Sequence, residues 1–107
     1  YPGRIAQIEL KKYELLLQSA QRKADAEITA NYEKVVQAKQ ALEESIASQK
    51  AAEERYRQTY MDYLNKTASA SELANRKEKW LDSIAERIDS THQYNVAVAT
   101  LQHSIGF

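Results

Sequence analysis

Between Arg4 and Ile105 the chain contains neither glycine nor proline; its only such residues are Pro2, Gly3 and Gly106. Folds made of several short elements draw on these residues at their reversals, because they supply the backbone conformations that tight turns need. A run this long without them restricts the chain to very few, very long helices and argues against β-structure. With 43% hydrophobic and 28% charged residues, the 107-residue chain is too apolar for compositional disorder. What matters is therefore what the helices pack against.

Charge and motif content narrow the possible functions. Fifteen basic and fifteen acidic residues are interleaved along the chain, which reads as the solvated face of a rod. A nucleic-acid partner would call for a basic stripe, and none is present. Cysteine is absent, which excludes disulfides and thiolate metal sites. No segment reads as a signal peptide, and no apolar run approaches the ~20 residues of a membrane-spanning helix, so direct membrane contact is not expected from these residues. His92 and His103 lie eleven residues apart, or ~16 Å along a helix, too far to share a metal ion. The acid pairs Glu43-Glu44 and Glu53-Glu54 point in different directions on a helix, and no nucleophile accompanies them. Neither an enzyme nor a bound cofactor or metal is expected.

From Ile28 onward, apolar residues fall on two interlocked seven-residue tracks. One runs Ile28, Val35, Leu42, Gln49, Tyr56, Tyr63, and the other Tyr32, Lys39, Ile46, Glu53, Tyr60. Alternating steps of four and three define a coiled-coil seam. The rhythm resumes later with Leu73, Trp80, Arg87, Tyr94, Leu101 and with Lys77, Ile84, Thr91, Val98, Ile105. Two seams joined by a few residues predict an all-α antiparallel coiled-coil hairpin. Its unequal helices would run over about 4–64 and 70–105, with a tip at 65–69. Folding about residue 68 would set Tyr63 against Leu73, Tyr56 near Trp80 and Ile105 near Asn31. Residues before about 30 then have no partner within the chain. Their best seam, Leu10, Tyr13, Leu17, Ala20 and Ala24, reads as one residue out of frame with the later one, and the eleven-residue step from Leu17 to Ile28 would relax left-handed supercoiling. An apolar segment without an internal partner implies partners elsewhere.

The turn falls in Tyr63-Leu64-Asn65-Lys66-Thr67-Ala68-Ser69-Ala70-Ser71-Glu72. Ser69 and Glu72 form a capping-box pattern that would start the second helix, with each side chain bonding the other's backbone N–H. Asn65, which tolerates the left-handed conformation, is the expected terminator of the first. Tyr56, Tyr60, Tyr63 and Trp80 gather near this end, where large rings clamp two helices and place their polar atoms at the water boundary.

These residues carry a family resemblance. The stretch from Tyr1 to Tyr56, with its recurring alanines and tyrosines, resembles the helical repeat of TolC-like outer-membrane efflux proteins. Tyr63-Leu64-Asn65-Lys66 is similar to that family's Tyr-x-x-Gly tip, with Lys66 where the family usually has Gly, and Leu101 to Gly106 is similar to its closing Leu-x-x-x-x-Gly. The resemblance implies a fragment of a larger, trimeric protein. Its helices would build a periplasmic α-helical tunnel that continues an outer-membrane β-barrel, serving efflux or secretion. It further implies that other copies and a second short helix cover the unpartnered segment, and that the tip, Tyr63 to Glu72, docks a periplasmic adaptor protein. Of the acidic ring that some members place after the tip, only Glu72 has a match, with Asn75 at the next position. The different expectation is a self-contained coiled-coil or three-helix interaction module, which would need a second break; Ser45 to Ala52 is the most tolerant site for one.

Overall fold

The computed structural model describes residues 2–106. Helix α1 (Pro2–Leu64) and helix α2 (Ala70–Ile105) fold back on one another as the unequal antiparallel hairpin expected. The molecule measures 97 × 18 × 15 Å, close to the ~95 Å that 63 helical residues span at 1.5 Å each. Strong helix formers such as Ala, Gln, Glu, Lys and Leu fill α1, and pairs one turn apart support its exposed side. Arg57 meets Glu53 at 3.0 Å, and Gln58 donates to Asp62 at 3.1 Å. The helix passes unbroken through Ser45 to Ala52, so the chain does not supply the second turn of a three-helix bundle.

The first expected track of each helix is correct; the second is displaced by one residue on α1 and shares the seam with its neighbours on α2. Ile28, Val35, Leu42, Gln49 and Tyr56 on α1, and Leu73, Trp80, Arg87, Tyr94 and Leu101 on α2, lie half-buried between the helices. Tyr63, at the end of its track, remains 42% exposed. The second tracks are Asn31, Ala38, Ser45, Ala52 and Thr59 on α1, facing Arg76, Ser83, Ser90, Ala97 and Ser104 on α2. Tyr32, Ile46 and Tyr60, the apolar side chains expected there, are 59%, 49% and 45% exposed, and Lys39 is exposed as well, while Glu53 is half-buried. On α2, Ile84, Thr91 and Val98 are half-buried at the seam edge, while Lys77 and Ile105 are exposed. The reason is size. Small side chains let two helix axes approach, and at close approach the residue that loses all its surface is the small one. The most buried residues are accordingly Ser45, Asn31 and Ser83, at 5%, 8% and 8% exposure, and no described hydrophobic side chain is fully buried.

Placing one track on small residues confines the expected frame slip to the other. Leu10, Leu17 and Ala24 precede Asn31 by the same seven-residue step, whereas the track of Ile28 runs back through Gln21, Glu14 and Gln7, one residue away from Ala20 and Tyr13.

Burial of serines here needs no partner across the seam. Ser45 Oγ donates to the Leu42 carbonyl at 2.8 Å, Ser83 Oγ to the Trp80 carbonyl at 2.6 Å and Ser104 Oγ to the Leu101 carbonyl at 2.8 Å. Each hydroxyl is satisfied within its own helix, which avoids the cost of an orphaned donor. The level of Gln49 and Arg87 is different: Gln49 Oε1 and Arg87 Nε are both buried with no hydrogen-bond partner among the described residues. A polar layer of this kind dilutes the seam between the apolar levels on either side of it.

The two flanks of the paired region differ. Lys34, Ser48 and Arg55 of α1 line surface grooves together with Lys79, Gln93 and Thr100 of α2 on one flank. On the other flank, Tyr32, Ile46 and Tyr60 stand on the same side as Ile84, Val98 and Ile105. That second flank also carries charge, since a groove beside Ile46 is lined by Lys50, Glu53 and Arg87.

Candidate functional site

The tip is built by two helix ends whose orphan backbone groups are answered in different ways. At the end of α1, Asn65 N–H donates to the Met61 carbonyl at 3.0 Å, Lys66 N–H to Tyr63 at 3.1 Å and Thr67 N–H to Asp62 at 2.8 Å. The last two are the paired bonds of a Schellman closure, with the left-handed residue between them. That residue is Lys66, at φ 61°, and not Asn65. The expected terminator is therefore corrected by one position. The left-handed position is fixed by where the six-residue bond closes, from Asp62 to Thr67, and Thr67 strengthens it by donating its hydroxyl to the same carbonyl at 3.0 Å. The intrinsic tolerance of Asn for left-handed backbone did not decide the outcome. A cation also suits this place, because the carbonyl end of a helix carries partial negative charge.

At the start of α2, Ser69 has extended backbone (φ −82°, ψ 160°) and its hydroxyl accepts from Glu72 N–H at 3.1 Å. The capping box is half formed. Among the described hydrogen bonds there is none from Ser69 N–H back to the Glu72 carboxylate, which leaves Glu72 exposed beside the helix N-terminus. Negative charge is favoured there by the helix dipole.

Together these ends present a compact, solvated surface. Tyr63, Leu64, Asn65, Lys66, Thr67, Ser69, Ala70, Ser71 and Glu72 are all exposed, and Ala68 is half-buried. Leu64 and Tyr63 keep 55% and 42% of their surface, so the tip offers apolar area beside small polar side chains. Behind it the Tyr56 and Trp80 rings stack with centroids 5.3 Å apart and planes 13° from parallel, and Tyr60 lies 6.4 Å from Tyr56. This stack fixes the register expected from folding about residue 68 and holds the arms together just behind the turn. Trp80 Nε1 is buried without a partner among the described residues, and does not reach the water boundary as expected.

Elsewhere the described residues contain no cluster of three or more His, Cys, Asp or Glu side chains placed to hold a metal ion. His92 and His103 are exposed on α2. No described helix is long and apolar enough to cross a membrane.

Two features were not found by reading the sequence. The left-handed Lys66 carries no residue-type signal, because nothing about lysine favours that conformation. The small-residue track did carry one, the recurrence of Ala, Ser and Asn every seventh residue, but the larger apolar residues next to it masked it. Set against protein-family models, curated proteins and solved structures, the chain matches none of them.

Proposed function

We propose that this chain is part of the periplasmic α-helical tunnel of an outer-membrane efflux or secretion channel, and that its tip, Tyr63 to Glu72, docks a periplasmic adaptor protein. The observation that carries this reading is the way the hairpin ends: a solvated tip with Lys66 at φ 61°. TolC-like proteins, which the sequence resembles, usually have Gly at that position, and Gly is the residue that takes left-handed backbone without strain. The departure at Lys66 changes the residue and keeps the backbone conformation that Gly favours.

The distribution of apolar surface also supports the reading. A hairpin with no fully buried hydrophobic side chain among its described residues, and with an apolar unpaired arm, is suited to packing against further helices. In the proposed setting those helices come from the rest of the parent protein and from the other subunits of a trimer.

The parent gene tests this directly. It is expected to extend upstream with a signal peptide and amphipathic strands of period two, the pattern of an outer-membrane barrel. A complete reading frame close to 107 residues would contradict the proposal.

A further inference from the structure

We propose that the groove behind the tip, walled by Arg55 of α1 and by Arg76 and Lys79 of α2, receives an acidic helix of the partner that docks there. The inference rests on the docking reading above and adds the chemistry of that partner.

The groove has a floor of small residues, Ser48, Ala51 and Ala52, between cations on both walls. With Tyr56 stacked on Trp80, Arg55 stands within two residues of the level of Lys79, and Arg76 lies about one turn nearer the tip. The three positive charges gather within ~8 Å along the rod. Among the described residues the one ion pair is Arg57 with Glu53, on the opposite flank, and none of the three groove cations donates a hydrogen bond. Like charges gathered without a counter-ion repel one another, and a carboxylate seated between them relieves the repulsion.

A second groove, lined by Thr59, Ser71, Glu72, Asn75 and Arg76, shares Arg76 with the first. Ser71 and Glu72 belong to the tip, so the two grooves form one trough. It leads from the proposed docking surface ~24 Å up the hairpin, the rise from Leu64 back to Ser48. Small side chains on the floor let another helix approach closely, as they do in the seam of the hairpin itself. The long stems of Arg55 and Lys79 then lie along the sides of that helix with their charges at its acids.

Charge selects the occupant. On this flank α2 presents Glu72, Lys79 and Glu86 at steps of seven, so the positive patch is closed by acids ~10 Å to either side of Lys79. A patch of this length seats one or two carboxylates on a helix face, whereas a polyanion would need the cations to continue. A second copy of the chain does not fit. Side by side at equal height it would present its opposite flank, where Lys50, Arg57 and Lys77 outnumber Glu53, itself held by Arg57 at 3.0 Å. The occupant is therefore a helix of a different protein, with Asp or Glu one turn apart on the face that enters the groove.

The test titrates the whole chain, isotope-labelled for nuclear magnetic resonance, with the helical hairpin of a periplasmic adaptor protein. The amide signals of Ser48, Ala51 and Ala52 are expected to shift together with those of the tip. Raising NaCl from about 0.1 to 1 M, which shortens the screening length from about 10 to 3 Å, should weaken binding more than about tenfold. The Arg55→Glu, Lys79→Glu double variant should weaken it by a similar factor, and Arg55→Gln, Lys79→Gln should remove most of the salt dependence. Both residues are exposed, so these variants should keep the circular dichroism and melting curve of the hairpin. Amide signals of Ser48, Ala51 and Ala52 that stay in place would overturn the inference. So would binding that Ala68→Arg weakens and the charge-reversed variant leaves unchanged, a result that keeps the docking reading. No binding by the unaltered chain would overturn both. Self-association of the chain that is lost on charge reversal would give the groove to a second copy and also overturn the inference.

Discussion

At Lys66 a single residue carries backbone strain that nothing in its side chain demands. A non-glycine residue in left-handed backbone costs about 1–2 kcal/mol, and the conformation persists because Thr67 ties the backbone back to Asp62 through both its N–H and its hydroxyl. Lys66→Gly should therefore stabilise the hairpin by about 0.5–1 kcal/mol, after allowing for the greater freedom of glycine in the unfolded chain. Urea titration followed by circular dichroism checks this; destabilisation would mean that the lysine side chain contributes more than its backbone costs. Ser69→Ala should lose about 1 kcal/mol in the same assay, since the hydroxyl answers the Glu72 N–H that alanine leaves bare. The Ser69 cap was legible in the sequence because a hydroxyl followed three residues later by a carboxylate is a local pattern with a local cause. The Lys66 conformation was not, because it is imposed by the closure geometry around it.

For the two helices, the decisive quantity is side-chain size where they meet. The large members of the seam, from Ile28 to Tyr56 and from Leu73 to Leu101, could be read from hydrophobic periodicity, and with them the hairpin and its register. The small members could not, since periodicity weights Tyr32 and Ile46 above the adjacent Asn31 and Ser45, whereas close helix packing prefers the reverse. The difference is measurable. Ser83→Leu should force the helices apart and cost about 1–3 kcal/mol, as overpacking generally does. Tyr32→Ala, at a side chain 59% exposed, should change stability by less than about 0.5 kcal/mol. If Tyr32→Ala were the more damaging of the two, the assignment of the seam would be wrong.

The whole molecule is a 97 Å rod whose exposed large apolar residues are densest along one unpaired arm, Ile5 to Leu17. Two layers of structure normally cover an apolar core between them, and a two-helix hairpin with small residues at its seam leaves much of its apolar surface outside. That surface supports the proposal that the chain is a component of a larger assembly, with the tip as its proposed docking site. The docking proposal is tested most directly by titrating the chain with the helical hairpin of a periplasmic adaptor protein, beside the Ala68→Arg and Lys66→Glu variants. The account predicts saturable binding by the unaltered chain, weakened more than about tenfold by either variant, while the melting curve of each variant stays within a few degrees of the original. Binding of equal strength by all three chains, or none by the unaltered chain, would contradict it.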